Sequence, residues 1–193
     1  MTTATDIVAA YSIDEQLAHK IVSVARNLDI EPAHLANVIA FESGGKFSAT
    51  AINPRSGASG LIQFIPRTAQ ELGTTIGAIR AMNAMDQMDL VGAYFKMPRI
   101  RAHGPLRTQL DVYMAVFYPP AIGKGLDYAF SSDVRASNPG INYARDYFAY
   151  AAKWARLPFD GESPGGGATG EALLAVGGVL FGILLWWLWP SAR

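Results

Sequence analysis

Cysteine is absent from this 193-residue chain. Disulfides, thiolate nucleophiles and cysteine-ligated zinc are therefore excluded. Histidine is scarce: His19, His34 and His103 stand singly, with no HExxH spacing and no close set of carboxylates. No metal, no other cofactor and no Ser–His–Asp arrangement is expected from that pattern. Neither sign of charge is in excess, since 16 basic residues face 16 acidic ones. Such a balance gives no global steering toward polyanions, so nucleic acid is not an expected partner. Met1 to Tyr11 lacks a basic start followed by an apolar run, and no cleavable leader is expected. Convincing runs of alternating apolar and polar residues are missing too, and no internal repeat is visible. The expected fold class is all-α, or mainly helical α+β at most.

What is present divides into three compositions. Half the residues are hydrophobic, and residues 1–157 read as one folded domain with a sizeable core. Residues 158–170, PFDGESPGGGATG, read as a flexible Gly/Pro/Ser-rich linker. Their glycines are no phosphate loop, because the Lys-Ser/Thr ending is missing. Residues 171–193 read as a C-terminal transmembrane anchor. Ala172 to Trp189 form 18 residues without a charge or a strongly polar side chain. At about 1.5 Å rise per residue that run nearly crosses a bilayer core. Trp186, Trp187 and Trp189 cluster at its end, as interfacial anchors do. Gly178 and Gly182 form a GxxxG that can pair helices, although the spacing is also common by chance.

Helix signals punctuate the domain. Ser12-Ile-Asp-Glu15 reads as a capping box, followed by Leu17, Ile21, Val24 and Leu28 at helical spacing. Pro32 suits the first turn of a second helix, with Leu35, Val38 and Ile39 on its apolar face and Gly44-Gly45 as its end. A short helix is expected from Pro66 to Leu72. Another starts at Asn83, with Met85, Met88 and Phe95 inward and Pro98 as its stop. Further helices are expected over about 108–118 and 143–157, the last with Tyr143, Tyr147, Tyr150 and Trp154 along one side.

Glu42 is the most informative residue. It follows Leu35, Val38 and Ile39 by seven, four and three positions, so its carboxyl projects from an apolar face at a helix C-terminus. Desolvation and the negative end of the helix dipole both disfavour its ionised form. A carboxyl kept protonated near neutral pH is what a general acid for a glycosidic oxygen requires. On position alone, a glutamate swinging out to solvent beside Gly44 remains the competing reading.

The residues that follow extend the pattern. Glu42-Ser43 leads into a Gly/Asn/Pro/Ser loop, then Gly60-Leu-Ile-Gln63-Phe64-Ile-Pro66-Arg-Thr68-Ala69. This order resembles the lytic transglycosylases of the SLT type, a branch of the lysozyme-like superfamily. There Glu-Ser ends a helix, and Gly-Leu-Met-Gln and Pro-x-Thr-Ala follow. Ile62 stands where Met is usual. Tyr113-Met-Ala-Val-Phe-Tyr118-Pro-Pro-Ala-Ile-Gly123 is similar to the later Ala-Tyr-Asn-Ala-Gly segment, with Pro119 in place of Asn, a departure similar to phage-encoded members. The resemblance spans roughly residues 15–157.

It implies a lysozyme-like domain whose groove takes peptidoglycan strands and cleaves the β-1,4 bond between MurNAc and GlcNAc. It implies Glu42 as sole catalytic acid and base, and a 1,6-anhydro product. Gln63 then contacts a sugar, orients Glu42, or only braces its loop. Tyr118 lines the groove or belongs to the core. Asn53 is a polar groove residue or makes the Asn-Pro turn. Ser43 binds helix-end carbonyls, and Phe64 stacks on sugar or packs inward. No partner carboxylate is evident: Glu71, Asp86, Asp89 and Asp111 have no clear claim, which favours substrate-assisted cleavage over hydrolysis. A lysozyme-type hydrolase and a non-catalytic wall-binding protein are the alternatives. The expected setting is a single-pass protein in a virion internal membrane or the host envelope, used by a phage to open the wall.

Overall fold

The computed structural model describes residues 1–159. The expected linker beyond Phe159, the expected anchor, and Gly178 and Gly182 lie outside them. No helix among the described residues is long and apolar enough to cross a membrane.

The first helix, α1 (Ala4–Tyr11), begins with a reciprocal cap. The Thr3 hydroxyl accepts from the Asp6 amide at 3.2 Å, while the Asp6 carboxylate accepts from the Thr3 amide at 2.8 Å. Ser12 ends this helix in the left-handed region, φ 55°. It therefore does not open α2 (Glu15–Asn27), contrary to the capping box expected from sequence. Asp14 does so, accepting from the amides of Gln16 and Leu17 at 2.9 and 3.1 Å. An N-cap needs a non-helical, usually extended backbone, which Ser12 does not have. The apolar stripe of α2 is as expected, with Leu17, Ile21, Val24 and Leu28 all buried.

α3 (Pro32–Glu42) is the central helix. Pro32 occupies its first turn and every residue from Pro32 to Phe41 is buried. A helix apolar on all sides has to be enclosed by others. It packs against α1, α2, α8 (Gln109–Phe117) and the 3₁₀ turn Ala152–Trp154. Between α3 and α8 run two short helices, α4 (Pro66–Glu71) and α5 (Ile76–Ala81), then α6 (Ala84–Phe95) and α7 (Pro98–Arg101). Asn83 caps α6 as expected, accepting from the Asp86 amide at 2.9 Å. α6 stops at Phe95, ahead of Pro98 as expected, and Pro98 itself occupies the first turn of α7. α9 (Ser132–Ser137) and α10 (Ala144–Ala151) complete the set. No strand forms among the described residues; pairing is confined to the isolated bridges Ile52–Ser59, Ser59–Phe64 and Ala129–Tyr143.

Two polar residues, His34 and Asn37, interrupt the buried helix. Asn37, fully enclosed, donates to Gln109 Oε1 at 2.8 Å and to the Leu157 carbonyl at 3.2 Å. Its Oδ1 accepts from the Tyr11 hydroxyl and from the Leu157 amide. The Tyr11 hydroxyl accepts from the Arg156 amide at 2.9 Å. A clasp of hydrogen bonds thus fastens residues 156–157 to α3 and to the end of α1. Phe159, placed in the linker by composition, packs edge-on against Phe148 at 5.5 Å between ring centres.

Candidate active site

Glu42 closes the last turn of α3 and lines a partly open groove. The helix stops there for local reasons. The Ser43 hydroxyl donates to the Ile39 carbonyl at 2.7 Å and accepts from the Phe47 amide at 2.9 Å. Gly45, at φ 76°, donates to the Ala40 carbonyl at 2.6 Å. Both are ways of satisfying the terminal carbonyls of a helix.

Phe64, Tyr94 and Phe117 line the groove with Glu42, and further rings pack behind them. Phe41 meets Tyr113, Tyr147 and Tyr150 edge-on at 5.7–6.0 Å, and Tyr147 stacks on Phe117 at 4.0 Å. Glu42 keeps partial exposure, yet dense protein surrounds its carboxyl. That desolvation raises its pKa from 4.5 to about 8. The Tyr147 hydroxyl acts in the opposite direction by favouring the carboxylate. This phenol is buried and closes no hydrogen bond of standard geometry, to Glu42 or elsewhere, so its pull is the weaker of the two. Burial holds Tyr147 itself well above the usual phenol range, and the nearby Glu42 charge adds to that. Tyr94, which does line the groove, is pushed up to about 12 by burial. Its hydroxyl donates to the Ala115 carbonyl at 2.9 Å, under the Arg99 guanidinium at 5.2 Å from its ring.

The other wall is the segment 53–64. Ser56, Ala58, Ile62, Gln63 and Phe64 reach the groove from it. Its shape is set by polar contacts. Asn53 Oδ1 accepts from the amides of Arg55 and Ser56 at 2.8 and 3.2 Å, which is an Asx-type turn. Arg80, from α5, donates to Ser59 Oγ and to the Gly57 carbonyl, both at 2.9 Å. Gln63 adopts φ 53°, unusual for a residue with a side chain, and its Nε2 donates to the Gly60 carbonyl at 3.1 Å.

Of the residues singled out by sequence, Glu42, Gln63 and Phe64 meet in one groove. Asn53 and Ser43 are buried behind it and brace backbone. Tyr118 lies one residue beyond the lining residue Phe117, beside Tyr128 and Phe130 at 6.3 and 5.6 Å. The sequence places Tyr147 only along one side of the last helix, and its approach to Glu42 has no local signal. Tyr94, Val116 and Thr68 were not foreseen as lining residues.

Among the described residues, Glu42 is the sole carboxylate in the groove wall. Three of the acids weighed as partners are engaged elsewhere. Asp111 accepts from the amides of Arg107, Thr108 and Gly123. Glu71 pairs with Arg67 and Arg99, and Asp89 with Lys20. No group of three or more potential metal ligands occurs among the described residues.

A mainly helical domain with one high-pKa glutamic acid in a ring-walled groove defines a class suited to acid–base work on a neutral leaving oxygen. Residues 20–90, a little over a third of the chain, match the model of the Transglycosylase SLT domain, which supports a lytic transglycosylase of the lysozyme-like superfamily. The match runs from within α2 to within α6 and contains both Glu42 and Gln63; Tyr118 and Tyr147 lie beyond it. No curated protein and no solved structure matches the chain.

Proposed function

We propose that this protein is a peptidoglycan lytic transglycosylase in which Glu42 is general acid and then general base. The SLT match supports peptidoglycan as substrate. The observation that carries the catalytic role is the Glu42 carboxyl, lone among acids in the groove wall and with a pKa of about 8. At neutral pH it is mostly protonated and can give its proton to the oxygen between MurNAc and GlcNAc. The C1–O bond breaks, GlcNAc leaves with that proton as its new hydroxyl, and positive charge develops at MurNAc C1. The conjugate carboxylate, basic because it is poorly solvated, removes the proton of the MurNAc C6 hydroxyl. O6 then bonds to C1, closing a 1,6-anhydro ring and restoring the acid. No water is consumed. A retaining or inverting hydrolase of the usual kind needs a second carboxylate, and among the described residues the groove wall offers none.

The test is mass spectrometry of muropeptides released from purified sacculi, with Glu42→Gln beside the parent. Anhydro-muropeptides are expected from the parent, and a loss of at least about 10³-fold from the variant. Hydrated reducing ends identify a hydrolase instead. No release by a folded parent identifies a wall-binding protein.

For the setting, we propose local wall opening by a phage during infection, with residues 172–189 holding the enzyme at a virion membrane or the host envelope. The apolar run and the Pro119 segment support this. Fractionation of purified particles tests it: particles without the chain overturn it.

A further inference from the structure

We infer that Gln87 is a positioning residue for the loop wall of the groove, acting through Gln63. Its catalytic readout rests on the glycan-cleaving function proposed above. Gln87 lies inside α6, fully buried, and does not line the groove. Its amide joins three separate segments. Nε2 donates to the Ala49 carbonyl at 2.9 Å and to the Ile79 carbonyl at 2.8 Å. Oε1 accepts from the Leu61 amide at 3.0 Å. Both N–H groups and the oxygen are used, and two carbonyls against one amide leave only one orientation of the side chain.

The turn it holds is the one that carries Gln63. Gly60, at φ 82°, gives Gln87 room: a Cβ there lies 2.3 Å from Gln87 Oε1. The Gly60 carbonyl then receives the Gln63 amide at 3.3 Å and Gln63 Nε2 at 3.1 Å. Gln63 stays left-handed because its surroundings determine it from both sides, which is how such conformations persist. Remove Gln87 and the Leu61 amide is left buried without its acceptor. The turn relaxes, and Gln63 and Ile62 move out of register with Glu42.

The experiment compares the full chain with Gln87→Leu, Gln63→Ala and the double variant. Muropeptide release from sacculi is scaled to folded protein measured by circular dichroism. Gln87→Leu is expected to lower kcat about 10- to 100-fold. The double variant is expected to be no slower than the slower single, because both act on one element. A kcat within about twofold of the parent, or losses that multiply, overturns the inference. If Gln87→Leu does not fold, Gln87→Met, closer to the parent in length and likewise without an acceptor for the Leu61 amide, is expected to give the same non-additive pattern. If the parent itself cleaves nothing, the proposed function fails and amide hydrogen exchange decides on Gln87. Lost protection at Leu61 and Phe64, with α3 unchanged, supports the positioning role; unchanged protection at Leu61 and Phe64 overturns it.

Discussion

On the Glu42 side of the groove, the contacts that set the geometry are rings and aliphatic chains around a buried helix. On the loop side they are hydrogen bonds, from Asn53, Arg80 and Gln87, to backbone that forms no regular element. The difference matches the task of each wall. A carboxyl is made a better acid by removing water, and dense apolar packing does that. A wall that must present an amide and a few polar groups to a sugar needs a defined backbone instead. Hydrogen bonds define direction better than apolar contacts do, at the cost of leaving groups unsatisfied when one partner is lost.

Four perturbations break or sharpen this contrast. The largest concerns the ring side. The raised pKa of Glu42 means that its ionisation opposes folding. Below about pH 4.5 both states are protonated and there is no penalty. The penalty grows as pH rises toward 8, where the folded state ionises as well, and is constant above. Glu42→Gln is therefore expected to match the parent near pH 4 and to exceed it at pH 9 by on the order of 3–5 kcal/mol, by urea denaturation at both pH values. Equal differences at the two pH values would mean that the carboxyl is solvated.

Next comes the loop side. Gly60→Ala puts a Cβ against a Gln87 amide that is already held three ways, at a left-handed φ. A loss of about 2–3 kcal/mol is expected from the same measurement. Most of the overlap, though not the φ cost, should disappear in a Gln87→Ala background.

Ser43→Ala tests the junction between the two walls. It removes the acceptor of the Phe47 amide, with an expected loss of about 1–2 kcal/mol and no change in muropeptide products.

The smallest effect belongs to Tyr147→Phe. Its hydroxyl has no hydrogen-bond partner of standard geometry, so stability should change by less than about 1 kcal/mol. Because that hydroxyl favours the Glu42 carboxylate, its removal raises the Glu42 pKa further. The alkaline fall of the pH–rate profile, expected near 8 in the parent, should move to higher pH; a fall that moves to lower pH refutes the assignment.

Both walls were legible in the sequence to different degrees. Helix α3 could be read almost whole, because Pro32, the apolar spacing and Gly44-Gly45 are local signals, and Glu42 followed from them. The loop was visible as a loop, through Asn53-Pro54 and Ser56-Gly57. What holds it was not, since Gln87 and Arg80 lie 26 and 23 residues along the chain from Leu61 and Gly57 and nothing in their neighbours marks them as braces. Short helices such as α5 and α9, with six residues each, are too short for a periodic stripe. α1 was missed because Ser12 was given to the following helix. Its own cap, Thr3 with Asp6, was the competing signal.

The clasp at Asn37 has a mechanical meaning. At residues 156–157 the chain is held by hydrogen bonds to α1 and α3, the latter being the helix that ends in Glu42. A pull on the chain at Leu157 is thus borne first at the back of the helix that presents the acid. The loop wall, hung from α5 and α6, is outside that line of force. Load applied there tests the grip on one jaw of the groove and leaves the other unstressed.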